Sequence, residues 1–259
     1  EGNPNLKPAY SQYLQLQYVT YSPKKRRSFT ASIIGSTTSN GFSYRRVYDE
    51  ETGITRTRPM NINGQWTMST NYTLTTPLAK KHWTSTWNGR SMYSAMPSYQ
   101  MIDLKSSKST TKNLDLLQRV QMNYRDKSVE IGMAGNVQYS KSENDRLTST
   151  RTETFEYNGN LNGLYRFPFG LSLAVDGSVI NRNGFGSQED GTDMVLNGQV
   201  SYSMLKGKKL TFSLQAMDIL GQQPTVKRSV YSTGERIVHY DALTSYVLFH
   251  ISYRFKTNH

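Results

Sequence analysis

His82, His239, His250 and His259 are the only histidines in 259 residues. No two of them stand at i, i+2 on a strand face or at another spacing where metal ligands converge. Cys is absent, which removes thiolate metal sites, a Cys nucleophile and any disulfide framework. No G-x-S-x-G elbow supports a Ser/His/Asp triad. Lys206, Gly207, Lys208 and Lys209 lack phosphate-loop spacing and would cap a hairpin instead. One local constellation remains: Gly184, Phe185, Gly186, Ser187, Gln188, Glu189, Asp190, Gly191, Thr192 and Asp193. Its carboxylates could hold Ca²⁺ through oxygen ligands, but the glycine spacing favours an acidic external loop without an ion. The expectation is a protein that is not an enzyme and has no cofactor and no metal.

The other polar candidates acquire meaning from the elements that carry them. Strand side chains alternate faces, so a period of two identifies strands. Leu243, Val247, Phe249, Ile251, Tyr253 and Phe255 oppose Thr244, Tyr246, His250, Ser252 and Arg254. The same pattern recurs in the runs from Leu210, Met194, Leu171, Phe155, Val129 and Leu114. Weaker versions occur at Leu14 and Leu16, Phe29 to Gly35, Trp66 to Leu74 and Trp83 to Tyr93. The reading is an all-β chain of about eleven meander strands, a single domain over 1–259, with no helix.

Alternation alone fits a soluble sandwich as well as a membrane barrel. Three features favour the barrel. The apolar faces of the runs carry no Asp, Glu, Lys or Arg. Most runs exceed the roughly 9–11 residues that a tilted membrane strand needs. The connections alternate, with short ones at 23–27, 77–82, 125–127, 167–169 and 206–208. Long ones fall at 40–63, 96–112, 182–191 and 219–241, and the link near Asn144 is tight. Short periplasmic turns opposite long extracellular loops describe an antiparallel transmembrane β-barrel segment. Tyr124, Tyr139, Tyr165, Phe167, Tyr253 and Phe255 near strand ends would form its interfacial girdles.

The excess of 31 Lys and Arg over 19 Asp and Glu gives +12. Much of it lies in the short turns: Lys24, Lys25, Arg26 and Arg27; Lys80, Lys81 and His82; Arg125 and Lys127; Lys206, Lys208 and Lys209. There it keeps turns solvated and meets outer-membrane lipid headgroups. A nucleic-acid surface would interleave its cations with stacking aromatics on one face, whereas these aromatics lie on the apolar faces, so no nucleic-acid partner is expected. The polar faces carry the ligand candidates. Asp115, Arg119, Glu130, Asp176, His250 and Arg254 would point into the lumen toward a polar solute or a plug. Tyr44, Tyr99 and Tyr231 in the loops could stack on a ligand.

The residues also carry a resemblance. Gly2 to Pro8, reading GNPNLKP, resembles a motif within barrels of TonB-dependent outer-membrane receptors. YDEETGITRTRPMNINGQW (48–66), LKGKKLTFSLQAMDILGQ (205–222) and YVLFHISYRF (246–255) resemble the Bacteroidota outer membrane β-barrel branch of that family. The resemblance implies about 22 strands closed by an N-terminal plug, and solute uptake driven through the TonB system. It leaves room for a surface lipoprotein partner, with siderophore, glycan or peptide all open as the solute class. The opening EGNPNLKPAY has neither a signal peptide nor an initiator Met, so the chain is expected to be the C-terminal half of a longer barrel in the cell outer membrane. A structural or adhesive barrel without transport is the alternative function.

Overall fold

The computed structural model describes residues 2–78, 82–102, 104–146, 151–185, 190–205, 207–223, 226–231, 234–241 and 243–255. Eleven strands form one antiparallel sheet. In spatial order these are β1 (Tyr10–Ser22), β2 (Arg27–Ser39), β5 (Gln65–Pro77), β6 (Trp83–Ile102), β7 (Lys105–Arg125), β8 (Val129–Asn144), β9 (Thr152–Arg166), β10 (Leu171–Asn183), β11 (Gly191–Met204), β12 (Leu210–Met217) and β15 (Tyr246–Tyr253). Two separate ribbons complete the fold, β3 (Gly41–Tyr48) with β4 (Thr55–Ile62), and β13 (Val226–Tyr231) with β14 (Gly234–His239). The sheet is open, with β1 and β15 at its edges.

All five short connections lie at one rim and are closed by backbone bonds. Arg26 N–H donates to Pro23 O, Asp126 N–H to Val129 O, and Lys208 N–H to Leu205 O. Arg26, Leu205 and Lys208 adopt positive φ there. The basic turn residues Lys80, Lys81 and Lys206 lie outside the described residues.

Burial is inverted relative to a water-soluble protein. Among the described residues the only buried hydrophobics are Ile62 and Ala95, whereas Val247, Phe249 and Ile251 are each 63% exposed. The ladders join the apolar residues into unbroken rows. One runs Tyr124–Ile131–Gly163–Val175–Gly198–Ala216–Val247, and another Tyr165–Leu173–Val200–Leu214–Phe249. A continuous apolar sheet face facing water would be a very large exposed patch; facing lipid it needs no cover. The opposite face is the lumenal one.

Aromatic contacts mark both borders of the apolar band. At the short-turn rim Tyr165 meets Phe167 edge-on at 4.6 Å, Trp83 lies 5.1 Å from Tyr124, and Tyr253 lies 4.7 Å from Phe255. Toward the other end Trp66 lies 5.3 Å from Tyr93, and Phe155 pairs with Tyr139 across the ladder. Such belts suit the two interfaces of a bilayer. Beyond the upper belt the same face turns ionic. Lys141 approaches Glu143 at 3.0 Å, and Arg151 approaches Glu153 at 2.5 Å. The strands have left the hydrocarbon there.

The segment 96–112, expected to be a loop, is instead the continuous upper part of β6 and β7, paired out to Ile102 and Lys105. β3 lies against it, and its buried positions, Ser109 and Thr111, are polar, so no apolar period survives to reveal it. Pro97 is tolerated because β5 pairs with β6 only as far as Ala95. Tyr99, two residues on, directs its N–H away from the ladder to Ser43 Oγ at 3.1 Å, so the proline nitrogen points to a free edge. The connections 40–63 and 219–241 are long as expected, but they carry the β3–β4 and β13–β14 ribbons.

Polar pairs occur on the lipid side too: the Thr70 and Ser91 hydroxyls lie 2.6 Å apart across β5 and β6, and a second pair spans a strand. Gln118 falls in the apolar register opposite Gly89 and Val137. Tyr72 lies over Gly89, where a Cβ would come 2.0 Å from its ring, and donates its hydroxyl to Gln118 Oε1 at 2.5 Å. Glycine there lets the ring span a strand and reach the amide. Tyr72→Phe should lower stability by about 1–3 kcal/mol, because the amide oxygen then faces lipid unpaired. Tyr72→Phe combined with Gln118→Leu should recover most of that loss in urea unfolding from vesicles.

Candidate functional site

The lumenal face is rich in amides. Asn88, Arg119, Asn136 and Asn158 form one row across β6 to β9, and Asn162, Asp176 and Asn197 form another across β9 to β11. These positions follow from the strand period, since each lies one residue from an outward apolar neighbour. Hydrogen bonds tie many of them together. Asp115 Oδ1 accepts Ser140 Oγ at 2.7 Å, and Asp176 Oδ1 accepts Asn197 Nδ2 at 3.1 Å. Glu130 is held at the short-turn rim between Arg166 at 2.8 Å and Arg125 at 3.2 Å. Near the opposite end Arg182 bridges Asp193 at 2.5 Å and Glu156 at 3.7 Å.

The lumen candidates therefore share a face without meeting in one pocket. Arg119 and Asp115 lie along β7, and Asp176 lies on β10. His250 stands opposite Ser213 on β15. Glu130 is at the rim, and Arg254 follows β15 there, with its N–H on Lys209 O at 2.8 Å. Of the aromatic candidates, Tyr44 lies on β3, next to Ser43, whose Oγ accepts the backbone N–H of Tyr99 on β6. Tyr231 ends β13, and its side chain lies outside the described residues. In the acidic segment, Asp193 is engaged by Arg182, and Asp190 Oδ1 accepts Phe185 N–H at 2.8 Å. Glu189 lies outside the described residues.

Sequence reasoning passed over two sites. Asp218, fully buried, organises the exit from β12. Its carboxylate accepts Gln222 N–H and Gln223 N–H at 3.0 Å each, and its own N–H donates to Asn197 Oδ1 at 2.8 Å. The second is the β3–β4 ribbon. Arg45 stands directly opposite Arg58 in its ladder, Arg46 opposite Thr57, and Val47 opposite Arg56. The signal was four arginines in fourteen residues, obscured because a wet ribbon has no apolar period.

The ribbon is clamped at its base. Asn61 Nδ2 donates to Lys7 O and Asn40 O, both at 2.8 Å, and Asn61 Oδ1 accepts Lys7 N–H at 2.8 Å. Asn3 Nδ2 donates to Pro59 O at 2.9 Å, while Arg58 donates to Asn3 Oδ1 at 3.2 Å. The residues of GNPNLKP thus brace the ribbon against the start of β1. Its tip is closed by Asp49, whose Oδ1 accepts Glu51 N–H and Thr52 N–H at 3.1 Å. The Thr52 backbone N–H, then the Thr52 hydroxyl, hold the Asp49 carboxyl below its ordinary pKa. Asn61→Ala should cost about 2 kcal/mol locally, at about 1 kcal/mol per lost bond less relaxation. Faster amide exchange confined to β3, β4 and residues 2–8 would show it.

An open antiparallel sheet, apolar on one face and amide-rich on the other, with its short basic turns at one rim and two ribbon-bearing links at the other, defines the wall of an outer-membrane β-barrel. Comparison with known families agrees: residues 1–127, from the N-terminal brace through β7, match the outer membrane protein beta-barrel family. No curated protein matches the chain. The protein is an outer-membrane barrel protein, located in the cell outer membrane.

Proposed function

We propose that this wall belongs to a transport barrel of the TonB-dependent receptor type, which binds a polar solute outside and imports it. The observation that carries the reading is the two-faced sheet, whose lumenal side offers rows of Asn, Gln and charged groups able to exchange hydrogen bonds with a passing polar molecule. The GNPNLKP resemblance supports TonB coupling, with a plug gating passage. The strand count supports an arc of a larger wall. Eleven antiparallel strands leave β1 and β15 running in the same direction, so joining these two edges directly would break the alternation. Free strand edges are not tolerated in hydrocarbon, and further strands would pair both.

The test is to delete the gene in the source organism and measure energised uptake of labelled siderophores, glycans and peptides. An antibody to this segment would size the native polypeptide in the outer membrane. Loss of one uptake activity, restored by the gene but not after collapse of the proton-motive force, is expected. The native band should exceed twice 29.5 kDa. Unchanged uptake of every class, or a band near 29.5 kDa, would sink the transport reading and leave a structural or adhesive barrel.

A further inference from the structure

We propose that the β3–β4 ribbon is an extracellular oxyanion-binding surface, with Arg45, Arg56 and Arg58 as its binding face and phosphate-type oxyanions as its ligands. Alternation along the ladder puts these three side chains on one side, with Val47 between them. Arg45 directly faces Arg58, and like charges opposed across strands are destabilising.

Four arginines near other strand ends have carboxylate partners, whereas Arg27, at the start of β2, donates to Thr76 Oγ1. Arg125 and Arg166 pair with Glu130, Arg151 pairs with Glu153, and Arg182 pairs with Asp193. Among the described residues, no carboxylate lies within ion-pair distance of Arg45, Arg46, Arg56 or Arg58. Asp49, Glu50 and Glu51 occupy the adjoining turn; Asp49 is spent on closing that turn and feels Arg56 only through its field. The opposed guanidinium groups are therefore left with exposed, uncompensated charge.

The scaffold beneath them is fixed. Asn61, Asn3 and Ser43 bind the ribbon to residues 2–8 and to β6, so the forks are carried by a braced element rather than a loose loop. Preorganised guanidinium groups suit tetrahedral oxyanions, to which each can donate two parallel N–H bonds. Position fits as well, since the ribbon joins β2 to β5 at the rim opposite the short turns, on the outer side. The surface would bind whether or not the barrel transports its ligand.

The test uses the full-length protein purified from outer membranes in detergent, with tripolyphosphate as the probe, followed by calorimetry at low and high salt. Binding that weakens with salt is expected. The triple variant Arg45→Gln/Arg56→Gln/Arg58→Gln should weaken it at least about ten-fold, which is about 1.4 kcal/mol. Lysine at the same three positions should give a smaller loss, because charge is kept and the fork is lost. Lys24→Gln/Lys25→Gln at the opposite rim should leave binding unchanged. Heat-modified migration on gels confirms that each variant is folded. A second arm adds vesicles with or without lipopolysaccharide. Displacement of the probe only by lipopolysaccharide assigns the ligand to headgroup phosphate; no displacement assigns it to soluble anions. No titration by tripolyphosphate, or equal titration of the folded triple variant, would overturn the proposal.

Discussion

Val200→Arg should cripple membrane assembly, and Ser201→Arg, one residue away, should not. Val200 lies between Leu173 and Leu214 on the apolar face and is 46% exposed. In water that exposure would be unremarkable; in hydrocarbon a guanidinium at this position costs about 2–4 kcal/mol near the midplane. Ser201 faces the other way, where its hydroxyl accepts Gln199 Nε2 at 2.9 Å and Ser213 Oγ at 3.0 Å. Arginine there loses two modest bonds but projects into a wet lumen. Refolding into vesicles, read by heat-modified gel migration and urea midpoints, separates the two variants. Equal damage from both would mean that the inner and outer faces are exchanged. Val247→Arg on β15 should behave as Val200→Arg does.

Gly170→Val is expected to be about as damaging, for a backbone reason. Gly170 closes the short turn between β9 and β10 at φ 97°, and a Cβ there would lie 2.4 Å from Ser203 O. That oxygen belongs to the neighbouring strand and cannot step aside, because Ser203 N–H already donates to Gly170 O at 2.9 Å. Strained φ of this kind costs about 1–3 kcal/mol, and the collision with β11 adds to it. Gly163→Ala is the control, since no atom lies within 4 Å of its Cβ position. Thermal resistance in SDS should fall by many degrees for the first and barely for the second.

The Val200 prediction rests on a pattern legible in the sequence; the Gly170 prediction needed the turn geometry. Alternation is readable only where the two faces of a strand meet different surroundings, as from Leu171 to Val179 or from Phe249 to Phe255. Above the bilayer neither face meets lipid and even the buried positions, Ser109 and Thr111, are polar, so the pattern that would have shown 96–112 to be strand disappears. The ribbons stayed hidden for the same reason, despite Arg45 and Arg58 standing in plain view. Gln118 was missed differently. Its place in the apolar register is evident from Leu116 and Val120, but its partner Tyr72 lies two strands away and is reached only across Gly89. The lumen candidates Asp115, Arg119 and Asp176 were readable as one face; their distribution along the wall was not, because sequence gives parity and not height.

Height differs greatly around the wall. β12 and β15 have 8 residues each, whereas β6 has 20 and β7 has 21. At about 3.3 Å per residue and a tilt near 40°, the short strands rise about 20 Å, less than the roughly 25 Å of the apolar band, and the long ones about 50 Å. The exterior is therefore a lopsided parapet. Bulky visitors such as antibodies or phage tails should meet the β6–β7 tower well before they reach the membrane surface.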